Sequence, residues 1–145
     1  MRINQVLAAK ARQDVITVRP DATVRELIGL LAQHNVGALV VSTDGGALDG
    51  IVSERDVVRR LNEDASVLDA PVSRIMTVDV HTCEGEYPVN DLMQLMTEQR
   101  IRHVPVMKDG RLTGIISIGD VVKSRMSELE FERDQLDSYV HTAQT

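Results

Sequence analysis

Aromatic residues are nearly missing from this chain, which holds one Phe, two Tyr and no Trp among 145 residues. The core must therefore be built from Val, Ile, Leu, Met and Ala, and the stacking platforms that single-stranded nucleic acids require are not available. Positive charge is also short: sixteen basic against twenty-two acidic residues give a net charge of −6. Without a basic cluster that balance repels a phosphate backbone, so no nucleic-acid partner is expected. The single cysteine, Cys83, rules out an intramolecular disulfide and reads as a packing residue. No run approaches the ~18 apolar residues that cross a bilayer, and the opening "MRINQVLAAKARQDV" has no apolar signal core. A cytoplasmic protein with no membrane partner is the expectation.

Catalytic signatures are missing as well. The sequence has no G-x-x-x-x-G-K-[ST] loop and no G-x-G-x-x-G after a strand, so a bound nucleotide would meet no machinery to cleave it. His34, His81, His103 and His141 are far apart and form no H-E-x-x-H or Cys-His pattern; no metal site is expected. No general acid and base pair suggests itself, and the chain is not expected to be an enzyme.

What is present is a repeat. Hydrophobic residues at 43% and charged residues at 26% are ordinary for a globular protein, and the length suits one domain or two interdependent units. "GIVSERD", from Gly50 to Asp56, returns as "GIISIGD", from Gly114 to Asp120. The offset is 64, and it aligns Gly50, Ile51, Ser53, Asp56, Val57 and Val58 with Gly114, Ile115, Ser117, Asp120, Val121 and Val122. Upstream the offset is 65, setting Val24, Leu27, Leu31 and Val36 against Val89, Leu92, Met96 and Ile101.

Each copy reads as strand, helix, hairpin, helix. Val15 to Val18 is a β-branched run. Thr23 and Glu26 then have capping-box spacing ahead of an apolar stripe at Val24, Leu27, Ile28 and Leu31, and that helix should stop near His34 and Asn35. In the second copy Pro88 replaces Thr23, and the box is lost. "GALVVS" with "LDGIVS", and "RHVPVM" with "LTGIIS" around Asp109-Gly110, read as hairpins whose apolar runs predict sheets covered by helices. The resulting partition is 1–62 for the first unit, 63–71 for a linker, 72–126 for the second unit and 127–145 for a helical extension. Along that extension Val122, Met126, Leu129, Leu136 and Val140 form a heptad-like seam interrupted by Arg133. Two readings of the seam stay open: a helix lying on its own domain, and a surface for self-association.

Two readings also attach to the repeated S-x-x-D. Ser53 and Ser117 can be N-caps with Asp56 and Asp120 at N3. Equally, a carboxylate at the mouth of a strand-to-helix junction can accept hydrogen bonds from ribose hydroxyls, beside N–H groups that favour anions.

The doubled unit, with "GALVV" then "GIVSERDVV" and "RHVPV" then "GIISIGDVV", resembles a tandem pair of CBS domains, the cystathionine-β-synthase motif of Bateman modules, over nearly the whole chain from about Ile3 to Val122. The resemblance implies an α/β (α+β) fold of two motifs, each a small three-stranded sheet covered by helices, related by a pseudo-twofold axis, with adenine nucleotides in the clefts between them. It carries the ribose role to Asp56 and Asp120 and the hydroxyl role to Ser53 and Ser117. The first strands, Val15 to Thr17 and Val80 to Thr82, are implied to frame adenine. The basic pair that holds phosphate in a related kinase regulatory subunit falls on Arg102 and His103, facing Gly37 and Ala38 of the other copy, so unequal clefts are expected. The principal cleft is expected to combine Thr17, Gly37, Ala38, Arg102, His103, Ser117 and Asp120. A second, weaker one is expected to use Thr82, Ser53, Arg55 and Asp56. Read without the resemblance, His103 is a structural hydrogen-bonder and Arg102 a surface ion-pair partner. The ligand implied is AMP first, with ADP, ATP or NAD(H) as alternatives. A homodimer that signals to a separate regulated protein is implied too, and the rival from another class is a ligand-free dimerisation scaffold.

Overall fold

The computed structural model describes residues 1–11 and 14–143, with the side chain of Ala143 excepted. Positions 12 and 13 of the expected first unit, and 144 and 145 of the expected extension, lie outside the described residues. Helix α1 (Ile3–Ala9) precedes the first repeat, which runs β1 (Thr17–Val18), α2 (Val24–His34), β2 (Ala38–Val41), β3 (Gly50–Ser53) and α3 (Glu54–Glu63). Two short 3-10 turns (Ala65–Asp69 and Val72–Arg74) lead to β4 (Cys83–Glu84), α4 (Val89–Gln99), β5 (His103–Lys108), β6 (Arg111–Ser117) and α5 (Ile118–Ala143).

The fold is α/β, with two three-stranded sheets in the orders β1-β2-β3 and β4-β5-β6. In each, the first strand runs parallel to the middle one and the hairpin is antiparallel. The first strand keeps only two of the four residues expected from Val15 to Val18, and the second forms at Cys83–Glu84, just past the expected Val80 to Thr82. The second hairpin turns through Asp109 (φ 52) and Gly110 (φ 77), the pair of left-handed residues that a two-residue hairpin loop needs. Thr23 Oγ1 accepts from the Glu26 N–H at 3.1 Å and Glu26 Oε2 accepts from the Thr23 N–H at 3.1 Å, so the first capping box forms, whereas Pro88 gives α4 no side-chain cap. Helix α2 ends on Asn35 in the left-handed conformation (φ 52), as its composition predicts.

Two cores result, and each recruits a segment that the chain places ahead of the other repeat. Ile3 and Val6 of α1 are buried in the core of the second repeat, among Val89, Leu92, Met96, Val104 and Ile116. Val72 and Ile75 are buried in the core of the first, among Val24, Leu27, Leu39 and Val52. The backbone contacts repeat the exchange. Ile3 and Asn4 donate to the carbonyls of Tyr87 and Gly85 at 3.0 and 2.9 Å, as Val72 and Ser73 donate to those of Ala22 and Pro20 at 2.7 and 3.0 Å. By packing, then, 3–9 belong with the second repeat and 72–75 with the first.

The exchange accounts for the repeated glycine. A Cβ on Gly50 would lie 2.7 Å from the Thr77 carbonyl oxygen and 2.9 Å from Met76 Sδ. On Gly114 it would lie 2.7 Å from Leu7 Cδ2. At Gly50 the close neighbour is backbone and cannot give way cheaply, whereas at Gly114 it is the end of a flexible side chain. Of each paired valine, Val57 and Val121 are buried while Val58 and Val122 face outward at 65% and 44% exposure. Helix α5 is about 39 Å long at 1.5 Å per residue, and from Leu129 to Thr142 every residue is exposed. From Leu129 onward it does not lie on its own domain, and the seam of Val122, Met126, Leu129, Leu136 and Val140 is open.

Candidate functional site

The S-x-x-D segments form the same reciprocal cap at two strand-to-helix junctions. At the first, Ser53 Oγ accepts from the Asp56 N–H at 3.2 Å, and Asp56 Oδ2 accepts from the Ser53 N–H and Oγ–H at 2.8 and 3.0 Å. At the second, Ser117 Oγ accepts from the Asp120 N–H at 3.1 Å and Asp120 Oδ2 accepts from the Ser117 N–H at 2.9 Å. Both boxes cap their helices. Capping occupies Oδ2 of Asp56, and among the described residues none donates to its Oδ1, so the same carboxylate can still accept a diol. The two readings of the motif are compatible.

Two clefts lie beside these junctions, and residues of both repeats line each. The Asp120 cleft, of about 500 Å³, is lined by Lys10, Ala11, Asp14, Ile16, His34, Asn35, Val36, Gly37, Ala38, Leu39, His103, Ile115, Ser117 and Asp120. The Asp56 cleft, of about 450 Å³, is lined by Gly37, Ala38, Ile51, Ser53, Glu54, Arg55, Asp56, Arg59, Thr77, Asp79, Val80, His81, Arg100, Ile101, Arg102 and His103. Both volumes suit a small organic ligand.

Of the residues expected in the principal cleft, Gly37, Ala38, His103, Ser117 and Asp120 meet there. Thr17 does not line it; its neighbour Ile16 does, because strand residues alternate faces. Arg102 also leaves the group and lines the Asp56 cleft instead. Ser53, Arg55 and Asp56 gather as expected in the other cleft, with Val80 and His81 in place of Thr82. The clefts are unequal in charge, and the cationic side chains, Arg102 among them, gather around Asp56. Four arginines face three carboxylates around Asp56, whereas Lys10 alone faces Asp14 and Asp120 in the other cleft.

Three residues that lacked a recognised sequence signal shape these sites. Lys10 reaches Asp120 Oδ2 at 3.0 Å and donates to the Ile115 carbonyl at 2.9 Å, from a segment far away in the chain. Arg59 follows Arg55 by one helical turn on α3, a spacing that could have revealed it. Arg100 is the left-handed cap of α4 and Arg102 follows two residues later in the link to β5, so only the cap geometry brings them to one cleft.

Electrostatics follow from this packing. Burial lowers the His103 imidazole below its usual value; Asp120 pulls the other way, and Lys10 and Arg102 add to the lowering. Burial would raise Asp120, but the Ser117 N–H and the Lys10 ammonium outweigh it and hold the carboxyl below its usual range. Burial pushes the Cys83 thiol up to about 11, which fits a packing residue and not a nucleophile. Among the described residues no group of His, Cys, Asp and Glu is arranged to hold a metal ion, and no helix is long and apolar enough to cross a membrane.

Comparison with known proteins places these clefts in context. The family model described as CBS domain matches residues 6–63 and 72–127. The CBS domain-containing protein CBSX3, mitochondrial, of Arabidopsis thaliana is 42% identical over 125 residues, covering 83% of this chain and 61% of that protein. Among solved structures, the CBS-domain containing protein ATU1752 from Agrobacterium tumefaciens superposes with a TM-score of 0.81 at 44% identity, covering 86% of this chain and 99% of that one. CBSX2 in complex with AMP gives a TM-score of 0.73 at 26% identity, with coverage of 87% and 96%. The CBS domain pair of protein MJ0100, in complex with 5-methylthioadenosine and S-adenosyl-L-methionine, gives 0.76 at 25% identity, with coverage of 88% and 98%.

Proposed function

The chain belongs to the CBS domain family, and from that premise we propose that it is a non-enzymatic regulatory module holding an adenine nucleotide in the clefts between its two repeats. The observation that carries this reading is the duplicated junction. Each cleft sets a capped carboxylate at a helix N-terminus of one repeat against the 36–38 or 100–103 segment of the other. Such a carboxylate suits ribose hydroxyls, and the helix N-terminus favours the attached anion. The ligands in the CBSX2 and MJ0100 complexes all contain an adenosine moiety, which supports the same class here.

AMP, ADP and ATP are the ligands of first choice, with NAD(H) as the alternative whose adenosine half would meet the same carboxylates. Because the ligand touches both repeats, it stabilises the arrangement in which they fit it, and only a difference in affinity between two arrangements makes that a signal. A homodimer receives support from the outward Val58 and Val122 and from the open seam of α5. In this reading a regulated partner senses the ligand-bound arrangement, and the compartment is the cytoplasm.

Thermal shift and calorimetry on the whole chain with AMP, ADP, ATP, NADH and S-adenosylmethionine test the reading, since a ligand of the native state raises apparent stability by mass action. Binding that is lost in Asp56→Asn or Asp120→Asn supports it. Indifference to every adenosine compound at millimolar concentration leaves the scaffold reading in its place.

A further inference from the structure

The four arginines of the Asp56 cleft are gathered in one place, whereas the other described arginines are scattered over the surface, and six of those, Arg19, Arg25, Arg60, Arg111, Arg125 and Arg133, each pair with a carboxylate. Arg55, Arg59, Arg100 and Arg102 make no ion pair among the described residues, although the chain has an excess of acid. They converge from both repeats: Arg55 and Arg59 from α3, Arg100 and Arg102 from the segment between α4 and β5. Arg100 caps α4 in the left-handed conformation, at φ 54, where glycine or asparagine is the easier residue and where its counterpart in the first repeat is Asn35. A guanidinium has been placed at a backbone position that disfavours any ordinary side chain, and it is directed at a cleft. The Asp120 cleft is the reverse case, since its carboxylate is already paired with Lys10.

We infer that the two clefts divide adenosine ligands by phosphate charge: the Asp56 cleft takes a di- or triphosphate, and the Asp120 cleft takes a ligand of low phosphate charge, a monophosphate or a nucleoside. This rests on the nucleotide reading above and adds the charge class of each cleft. Ribose on Asp56 directs a phosphate chain toward Arg100 and Arg102 of the other repeat, so each added phosphate extends the contact across the two repeats. Guanidinium forks match phosphate oxygens in pairs, and each such charge-assisted contact strengthens binding more than a neutral one.

Calorimetric titration of the whole chain with adenosine, AMP, ADP, ATP and inorganic triphosphate tests the division. One site is expected to tighten by about ten-fold from AMP to ADP and again to ATP, and to weaken with added salt. Arg102→Gln should lower ATP affinity by about ten-fold. Arg100→Gly is the decisive variant, because glycine relieves the left-handed backbone and so leaves melting temperature equal or higher while ATP affinity falls. Asp120→Asn should weaken the low-charge ligand and leave ATP binding as it was. Equal affinity for AMP and ATP, or unchanged ATP affinity in Arg100→Gly and Arg102→Gln, overturns the division while AMP binding keeps the nucleotide reading. Binding of inorganic triphosphate with no adenosine compound bound overturns both, as does no binding at all.

Discussion

Replacing Gly50 with alanine probes the exchange of segments between the repeats more sharply than any change inside one core. The new Cβ would lie 2.7 Å from the Thr77 carbonyl oxygen, which is held by the Ile51 N–H at 2.9 Å while the Thr77 N–H donates back at 2.8 Å. Relief requires the 76–77 segment to move away by about half an ångström and weakens both bonds, at roughly 1 kcal/mol each. Strain on the Met76 side chain adds to this, and loss of glycine's freedom in the unfolded chain returns about 0.4–1 kcal/mol. A net destabilisation of about 1–2 kcal/mol follows. At Gly114 the neighbour is the Leu7 side chain, which can shift rotamer for about 0.5–1.5 kcal/mol, so the same gain nearly cancels the loss. Urea unfolding at matched protein concentration should therefore rank Gly50→Ala below Gly114→Ala by about 1 kcal/mol, seen also as a melting difference of about 2–4 °C. Equal stability of the two variants, or a stabilised Gly50→Ala, would refute the role assigned to the 76–77 contact.

Three further outcomes are expected. Thr23→Ala removes the capping box of α2 and should cost about 1 kcal/mol in urea unfolding. His103 has a folded value below the ordinary 6.5 of the unfolded chain, so the unfolded state binds the extra proton: its contribution to stability is present above about pH 6.5 and is lost as pH falls through the lower folded value. His103→Gln should flatten that part of the pH–stability curve, and a bound phosphate should reduce the loss; a curve unchanged by the substitution counts against burial as the cause. Leu129→Asp and Leu136→Asp should shift light-scattering mass toward the monomer if the seam pairs with a second copy, and identical masses for wild type and variants would remove the seam from the interface.

The repeat, both hairpins and the capping boxes were legible because they depend on local rules of period two, period 3.6 and fixed cap spacing. The exchange of segments was not, because it is written only in Ile3 and Val6 against Val72 and Ile75, at an offset of 69 and not 65. Two apolar positions in a short helix or turn fit many surfaces, and tertiary packing alone chooses between them. The resemblance placed Arg102 and His103 together in the Asp120 cleft; both line the Asp56 cleft instead, and of the two only His103 also reaches the Asp120 cleft. Lys10 shows the limit most plainly, since nothing near it in sequence specifies that it meets Asp120.

A crystal structure of the whole chain grown with saturating ATP tests the central claim most directly. The account predicts adenosine density in the Asp56 cleft, with ribose hydroxyls on the Asp56 carboxylate and phosphates directed at Arg100 and Arg102. ATP bound elsewhere on the molecule, or a cleft left empty at saturation, would contradict it.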